Sequence, residues 1–332
     1  MQRFSFLCKR FDVSTRQTIP LRWMFLVSCF AALFWSPSPV LGSEPFPELR
    51  GPYLGEVPPG MTPKIFAPGI VSTDRRELNS VFTPDGNEFY FAYSQGSGQY
   101  TIMVMRQVDG LWTKPEVASF SREHSNVDLA ISHDGQRVYF GSNRPRSGTT
   151  PREAGFDLWV ALRDGSEWGE PTNLGPKVNS DRHQIYPTVT RTSTLYFQSN
   201  REGGFGGSDL YRSPLVAGEY ASPENLGAAI NTRHDEGDVL IAPDEDWLIV
   251  SAQGRDDSLG RGDLYVSFRS TDGMWSEARN MGAPINSSAI DFCPMLSPDG
   301  KYLFFSSARN GTPDIFWVDA KVIEAARPTA AR

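Results

Sequence analysis

Short stretches of apolar and aromatic residues recur along most of the chain, at a spacing of about 50 residues. In each copy the first stretch ends in a sequence typical of a tight turn. The five turns are FTPDG (82–86), ISHDG (131–135), VTRTS (189–193), IAPDE (241–245) and LSPDG (296–300). Proline and Asp-Gly favour the backbone angles of tight hairpins, so each turn predicts a strand reversal.

Further strands follow each turn. Second strands are predicted at 89–91, 138–140, 195–197, 248–250 and 303–305, and third strands at 101–104, 157–160, 209–211, 263–266 and 314–317. A glycine followed by an aromatic residue marks a fourth strand in the first four copies, at 110–112, 165–168, 218–220 and 273–275. Repeats of four short antiparallel strands are typical of propeller blades. We therefore predict an all-β fold, a five-bladed β-propeller.

The fifth copy has no fourth strand of its own, and the N-terminal segment supplies a candidate for it. PKIFAPGIVSTDR (63–75) parallels PTNLGPKVNSDR (171–182) with one inserted residue. We predict that the N-terminal strand completes the last blade, because ring closure removes exposed sheet edges. The predicted organisation is a leader at 1–42, a linker at 43–62, the propeller at 63–320 and a C-terminal tail at 321–332.

The repeats resemble a known family. NLGPKVNS (173–180), NLGAAINT (225–232) and GGSDLY (206–211) are similar to the WD40-like propeller repeats of the TolB type in bacterial envelope proteins, including propellers that accompany OmpA-type domains. The resemblance covers residues ~63–320 and implies a propeller that acts as a binding platform in the envelope. The sequence shows no second domain after the propeller, so peptidoglycan binding is not implied.

The first 42 residues have the pattern of a targeting segment. Five basic residues precede an apolar run of about 13 residues (23–35), and prolines and small residues follow it. Such a run is short for a bilayer span and typical of a signal peptide. An uncleaved anchor and a lipid-modified Cys29 remain alternatives. We expect a periplasmic or extracellular protein with no stable membrane insertion after leader cleavage.

Charge and cysteine content narrow the function. The chain of 332 residues carries a net charge of −7, which becomes about −11 without the predicted leader. A negative surface repels phosphates, so we predict no nucleic-acid binding. Cys293 is the one cysteine outside the predicted leader and is predicted to be a small buried residue, without a disulfide. We expect a monomeric propeller.

The stretch SNREGGFGGSDLY (199–211) raises the question of a phosphate-binding loop. Such a loop needs a following helix, whereas strand-like residues flank this one, so we predict a hairpin whose glycines adopt positive backbone angles. An arginine before and an aspartate after this hairpin recur in four copies. We predict that they pair and stiffen the hairpins, as Arg144 with Asp157, Arg201 with Asp209, Arg255 with Asp263 and Arg309 with Asp314. The first copy has neither residue.

Polar residues at the beginning of each innermost strand are the predicted ligand site. Counting back eight positions from the turn aspartate or its equivalent gives Glu77, Asn126, Gln184, Glu236 and Asp291, and counting back six gives Asn79, Asp128, Tyr186, Asp238 and Cys293. Basic residues stand just upstream: Arg75, Arg122, His124, Arg182, His183, Arg233 and His234. Innermost strands line a propeller's channel, so these residues should ring one mouth and bind a polar ligand. The alternative is that they cap backbone amides.

Catalysis is the second hypothesis. Paired carboxylates perform glycoside hydrolysis, and the candidates are Glu77, Asp128, Glu236, Asp238 and Asp291. No motif singles out two of them, and the histidines lack metal-ligand spacing, so we predict no metal and no cofactor. The leading hypothesis is a non-enzymatic exported propeller that binds an envelope protein or a glycan. A glycoside-acting enzyme is the alternative.

Overall fold

Five antiparallel sheets of four or five strands, and one two-stranded hairpin, are present in a computed structural model, which describes residues 45–94, 96, 98–146 and 155–328. Residues 46 to 332 form one compact unit, and the contacts below lie within it. The predicted leader, including Cys29, lies outside the described residues. Within the described part of the chain, no helix has the length and apolar character needed to cross a membrane.

The first three strands of each blade follow the order predicted from the repeats, but in the third and fourth copies the fourth strand lies beyond the predicted position, at 224–225 and 279–280. Before the first blade lie a 3-10 turn (Pro52–Gly55) and β1 (Lys64–Ile65). Blade 1 contains β2 (Arg76–Phe82), β3 (Glu88–Ser94), β4 (Tyr100–Val108), β5 (Leu111–Trp112) and β6 (Glu116–Val117). After a 3-10 turn (Ser119–Ser121), blade 2 contains β7 (Asn126–Ile131), β8 (Arg137–Ser142), β9 (Asp157–Asp164), β10 (Glu167–Trp168) and β11 (Thr172–Asn173).

The later blades repeat this order. After helix α1 (Gly175–Val178), blade 3 contains β12 (Gln184–Val189), β13 (Leu195–Ser199), β14 (Asp209–Ser213), the hairpin β15 (Leu215–Val216) and β16 (Glu219–Tyr220), and β17 (Glu224–Asn225). Blade 4 contains β18 (Asp235–Ile241), β19 (Trp247–Gln253), β20 (Asp263–Phe268) and β21 (Arg279–Asn280). Blade 5 contains β22 (Asp291–Leu296), β23 (Tyr302–Ser307) and β24 (Asp314–Asp319), and helix α2 (Lys321–Ala325) follows it.

The prediction of a five-bladed propeller closed by its N-terminal strand is confirmed. Strand β1 pairs antiparallel with β24, so that Lys64 lies opposite Trp317 and Ile65 opposite Phe316. This pairing involves only two residues of β1, and aromatic packing stabilises the closure of the ring in addition. The Phe66 ring lies edge-on to Phe304 and Trp317, with centroids 5.1 and 5.2 Å apart. Each such aromatic pair adds about 0.5–1.5 kcal/mol beyond the area it buries.

The segment before β1 packs on the propeller. The backbone carbonyl of Gly51 accepts a hydrogen bond from the Trp112 indole at 2.8 Å, which ties it to blade 1. Tyr53 donates its hydroxyl hydrogen bond to Asp299 of blade 5 at 2.6 Å. Residues 46–62, which lacked a strand pattern, therefore lie across the junction of the first and last blades.

The glycine-rich stretch 199–211 is the hairpin between β13 and β14, with Ser199 opposite Asp209. The predicted reason for its glycines holds only in part, because Gly203 has a φ of 87° but the other three have no positive φ. A side chain on Gly206 would collide with the backbone carbonyl of His234. Close approach to the segment leading into blade 4 therefore explains most of these glycines.

Each innermost strand is broken by a bulge at the same position. The register shifts between Leu78 and Ser80 in blade 1, and at equivalent places in the other four blades. The residues at these breaks have φ between 39° and 55°, a conformation that is costly for residues other than glycine: Asn79, Asp128, Tyr186, Asp238 and Cys293. These are the five residues found by counting back six positions.

Candidate functional site

The five residues at the beginning of the innermost strands are buried and hydrogen-bonded within their own blades. Glu236, fully buried, accepts hydrogen bonds from the backbone amide and hydroxyl of Thr232 at 2.7 and 2.6 Å. Asp291, also fully buried, accepts the same two from Ser287 at 2.7 and 2.8 Å. Each carboxylate therefore closes a five-residue turn that leads into its strand.

Of the amide members of this set, Gln184 does the same and Asn126 does not. Gln184 accepts a hydrogen bond from the Ser180 amide at 3.1 Å, and the Asn126 side chain donates one to the His124 carbonyl at 2.6 Å. The capping of backbone amides, which the sequence left as the alternative, describes the contacts of Glu236, Asp291 and Gln184 but not that of Asn126. Their role as ligand-binding residues stays a prediction.

The predicted arginine–aspartate pairing across the hairpins is wrong. Arg255 donates instead to the Glu236 carboxylate at 3.0 Å and to the Ile230 carbonyl at 2.6 Å. Asp263 accepts from the Leu259 amide at 2.6 Å and from the Asn280 side chain at 2.7 Å. The arginine thus holds the segment before its blade, whereas the aspartate caps the hairpin backbone and binds the fourth strand.

The other three predicted pairs are corrected in the same way. Arg144 donates to Asn126 and the Phe120 carbonyl, Arg201 to Ser199 and the Val178 carbonyl, and Arg309 to Asp291 and the Ile285 carbonyl. Asp157 binds Arg146, Asp209 accepts from two hairpin amides and Asn225, and no hydrogen bond to the Asp314 side chain occurs within the described residues. Seven of the eight residues therefore have partners other than the predicted ones, and Asp314 has no side-chain hydrogen bond within the described residues.

The five bulge residues meet on the propeller axis. The Tyr186 hydroxyl donates to the Pro294 carbonyl at 2.9 Å, which joins blade 3 to blade 5. Cys293 donates its amide to Asp238 at 3.1 Å, and Leu129 donates its amide to Asn79 at 3.1 Å. Blades 3 and 5 are not neighbours in a five-membered ring, so the tyrosine reaches across the channel. The channel is filled by polar side chains at this level.

Two carboxylates share this crowded interior. Burial and the nearby Asp238 raise the pKa of Asp128 well above its usual range. Burial also raises the pKa of Asp238, although hydrogen bonds from Cys293 and Ser251 partly oppose it. Two acids that repel each other, the buried Asp128 and the half-buried Asp238, favour a protonated form in at least one of them. Glu77, Glu236 and Asp291 do not belong to this pair.

The basic residues just upstream do not converge. Arg182 forms an exposed ion pair with Glu202 at 2.8 Å, and Arg233 pairs with Asp256 at 3.4 Å. The Nδ1 atom of His183 accepts a hydrogen bond from the Phe156 amide at 3.2 Å. Among the described residues, no three histidine, cysteine or acidic side chains are arranged to hold a metal ion. The absence of a metal site stays a prediction.

A concave surface to which all five blades contribute lies at the opposite end of the channel. We call this the end face, where the innermost strands end, and its opposite the start face. The end-face cavity has a volume of about 380 Å³. Every blade contributes apolar residues to its lining, among them Phe82, Ile131, Val189, Ile241 and Leu296.

The rim of the end-face cavity consists of polar residues and prolines. Pro84 and Pro298 border both this cavity and a neighbouring one of about 650 Å³, which also contacts Tyr53. Arg191 on the rim is exposed and pairs with Asp244 at 3.0 Å. Burial opposes ionisation of Asp299, but hydrogen bonds from Tyr53, Lys301 and Ser297 lower its pKa to about 2. The end face therefore combines an apolar floor with a charged rim.

Sequence reasoning missed this surface. The five turns were interpreted as strand reversals, although a common position in every repeat already placed them at one face. The N-terminal contribution of Tyr53 had no sequence signal, since residues 46–62 contain no strand pattern.

Fold and surface together define a five-bladed β-propeller with a cavity on its axis. No family model matches the sequence, and no curated protein matches it. Similar solved structures include a glycoside hydrolase, with a TM-score of 0.55, 11% identity, and coverage of 82% of this chain and 95% of that chain. The catalytic domain of an alpha-L-arabinofuranosidase from Coprinopsis cinerea has a TM-score of 0.47 and 9% identity, with coverage of 79% of this chain and 97% of that chain.

TolB propellers are also among the structural neighbours. TolB from Acinetobacter baumannii has a TM-score of 0.47 and 13% identity, with coverage of 75% of this chain and 55% of that chain. The match thus spans about half the length of that TolB. At such identities these likenesses concern the fold alone.

Proposed function

We propose that this protein is an exported, non-enzymatic binding module for a protein of the cell envelope. The observation that carries the proposal is the end-face cavity, to which every blade contributes an apolar residue. Concave sites with an apolar floor and a few polar groups at the rim are typical ligand-binding surfaces of proteins. The TolB-type resemblance of the repeats supports an envelope partner.

The state of the acids supports binding over catalysis. A glycoside hydrolase needs two carboxylates that reach the sugar from both sides. Glu236 and Asp291 are 0% exposed and bonded to donors of their own blades. Neither carboxylate can reach a sugar unless the turn that it closes opens.

The cavity chemistry favours a protein over a glycan as the partner. Among the described residues of the lining, Phe82 carries the one phenyl ring, and it is 7% exposed. Sugar binding relies on exposed aromatic faces, whereas aliphatic floors with a polar rim suit side chains of a protein partner. We infer that the partner inserts an apolar side chain into the floor and contacts the rim at Arg191.

Photo-crosslinking on the two faces tests this proposal. A photoreactive residue replaces His133, an exposed residue of the end-face cavity, and in a control it replaces Arg182 on the start face. We expect one discrete protein adduct from envelope fractions with the first probe, competed by the unlabelled protein. Arg191→Glu should weaken that adduct, and its exposed ion pair means that folding is little affected.

A start-face adduct alone, or specific glycan-array binding without any protein adduct, would contradict the proposal. The second candidate is a glycoside-acting enzyme, favoured by the two neighbouring acids Asp128 and Asp238 on the axis. Hydrolysis of a polysaccharide that Asp128→Asn abolishes, in a variant that melts like the parent, would replace binding by catalysis as the function.

A further inference from the structure

Four blades share an internal arginine contact that blade 1 lacks. In blades 2 to 5 the hairpin arginine donates a hydrogen bond to a backbone carbonyl in the segment that leads into its blade. In each case this carbonyl lies six positions before the polar residue at the beginning of the innermost strand, which is Asn126, Gln184, Glu236 or Asp291. The guanidinium also lies over an aromatic ring of its own blade, for example 4.5 Å from the Tyr265 centroid for Arg255. A half-buried arginine thus joins each of these four blades to the segment that leads into it.

Blade 1 has a glycine at this position. Glu236 lies opposite Ala252 and Arg255 follows three residues later, while Glu77 lies opposite Tyr93 and Gly96 follows three residues later. The equivalent backbone carbonyl in blade 1 belongs to Val71, which is fully buried.

Because blade 1 lacks the arginine, the charge of Glu77 is not balanced by a cation among the described residues. One oxygen of Glu77, which is 1% exposed, accepts a hydrogen bond from the Thr73 hydroxyl at 2.5 Å. Its Oε2 atom is buried and has no hydrogen-bond partner among the described residues. In blade 4 the equivalent Glu236 uses both oxygens, and Arg255 supplies the positive charge.

A second carboxylate lies beside Glu77. The Glu77 amide donates to the Pro313 carbonyl at 3.0 Å, which brings Asp314 next to it, and Asp314 is 7% exposed. Burial, and then the Asp314 charge, raise the pKa of Glu77. Asp263 accepts from two hairpin amides and from Asn280, whereas Asp314 accepts from no hairpin amide among the described residues, and Ile65 faces Phe316 where Asn280 faces Tyr265. Within the described part of the chain, the junction of blades 5 and 1 therefore holds two acids that no cation pairs with.

We propose that this junction binds an arginine side chain of a partner protein, in the place that blades 2 to 5 fill with their own arginine. A guanidinium is planar and donates several hydrogen bonds at fixed angles, so it matches two carboxylates and a carbonyl better than a metal ion that needs more ligands. A cavity of about 470 Å³ lies on this side of blade 1, and its lining residues are Asp74, Arg75, Arg76, Tyr93, Ser94 and Gly96. Arg75 lies over the Tyr93 ring and forms no hydrogen bond with Glu77 in the described structure.

This site is on the start face, so the inference does not depend on the end-face cavity. The probe is arginine amide, and citrulline amide, which has nearly the same shape without the charge, is the matched control. We expect saturable binding of arginine amide in calorimetry and a rise in Tm, with no response to citrulline amide. Glu77→Gln should weaken the binding roughly tenfold or more, as the loss of a charge-assisted hydrogen bond predicts.

Asp74→Asn is the control for general surface charge, because this exposed acid lines the same cavity. It should leave binding within about twofold of the parent, whereas Asp314→Asn should weaken it as Glu77→Gln does. Equal responses to both amides, or equal losses in Asp74→Asn and Glu77→Gln, would overturn the proposal. So would a calcium- or magnesium-dependent rise in Tm that requires Glu77. Crosslinking at His133 is unaffected by any of these outcomes.

Discussion

Blades 1 and 4 have a glutamate at the same position but surround it with different side chains. Both begin their innermost strand with a buried glutamate that closes a turn through a threonine hydroxyl. Blade 4 neutralises Glu236 with Arg255, whereas blade 1 leaves Glu77 beside Asp314. The difference shows that the backbone of a blade does not require the arginine. The arginine compensates charge and ties the preceding segment down, and its absence leaves an acidic site.

The largest effect is expected when the compensating charge in blade 4 is removed. Arg255→Met keeps much of the side-chain volume but leaves Glu236 buried without its cation. We expect a loss of about 3–5 kcal/mol in the free energy of unfolding, measured by urea denaturation. Arg233→Met, which removes an exposed ion pair of the same blade, should cost less than about 1 kcal/mol. Equal costs for the two variants would show that Glu236 does not need its cation.

A smaller loss is expected at the hairpin aspartate. Asp263→Ala removes the acceptor of two backbone amides and of the Asn280 side chain. We expect destabilisation of about 2–4 kcal/mol, since several donors lose their partner together. Thr101→Ala, at the equivalent place in blade 1, should cost less than about 1 kcal/mol. A cost for Thr101→Ala as large as that for Asp263→Ala would mean that the blades do not differ here.

Neutralising the blade 1 glutamate should have the opposite sign. Glu77→Gln removes a buried charge whose Oε2 atom has no partner in the described structure. At neutral pH we expect the free energy of unfolding to stay unchanged or to rise by up to about 1 kcal/mol. Calorimetric melting of the two proteins measures this difference. A loss of several kcal/mol would reveal a compensating contact of Glu77.

The smallest effect is the pH dependence of that difference. The pKa of Glu77 is raised in the folded protein by burial and by Asp314, so the folded state holds this proton more tightly than the unfolded chain. Its contribution to stability is complete below the unfolded pKa of about 4.3 and is lost as the pH rises through the folded pKa. Relative to Glu77→Gln, the parent should therefore lose stability with rising pH. A parallel pH profile for the two proteins would contradict the raised pKa.

The fold could be predicted from the sequence because the strand and turn signals are local. The turn at 296–300 and the strand 303–305 stand side by side in the chain, and so do their counterparts in the other copies. The hydrogen-bond partner of Arg255 could not be predicted from the sequence. Asp263 is only eight positions away in sequence, but the side chain turns toward Glu236, 19 positions back, because the segment leading into the blade passes there.

The sequence alone determined the repeat, the number of blades and the closure by the N-terminal strand, because hydrophobic periodicity and turn residues act over a few positions. Only the tertiary structure decided which acids have an arginine partner and at which end the channel is open. Those outcomes depend on residues far apart in sequence that meet on the axis or between blades, such as Asp128 and Asp238. Burial and pairing at such meeting points are set by the packing of whole blades, which no short stretch of sequence encodes.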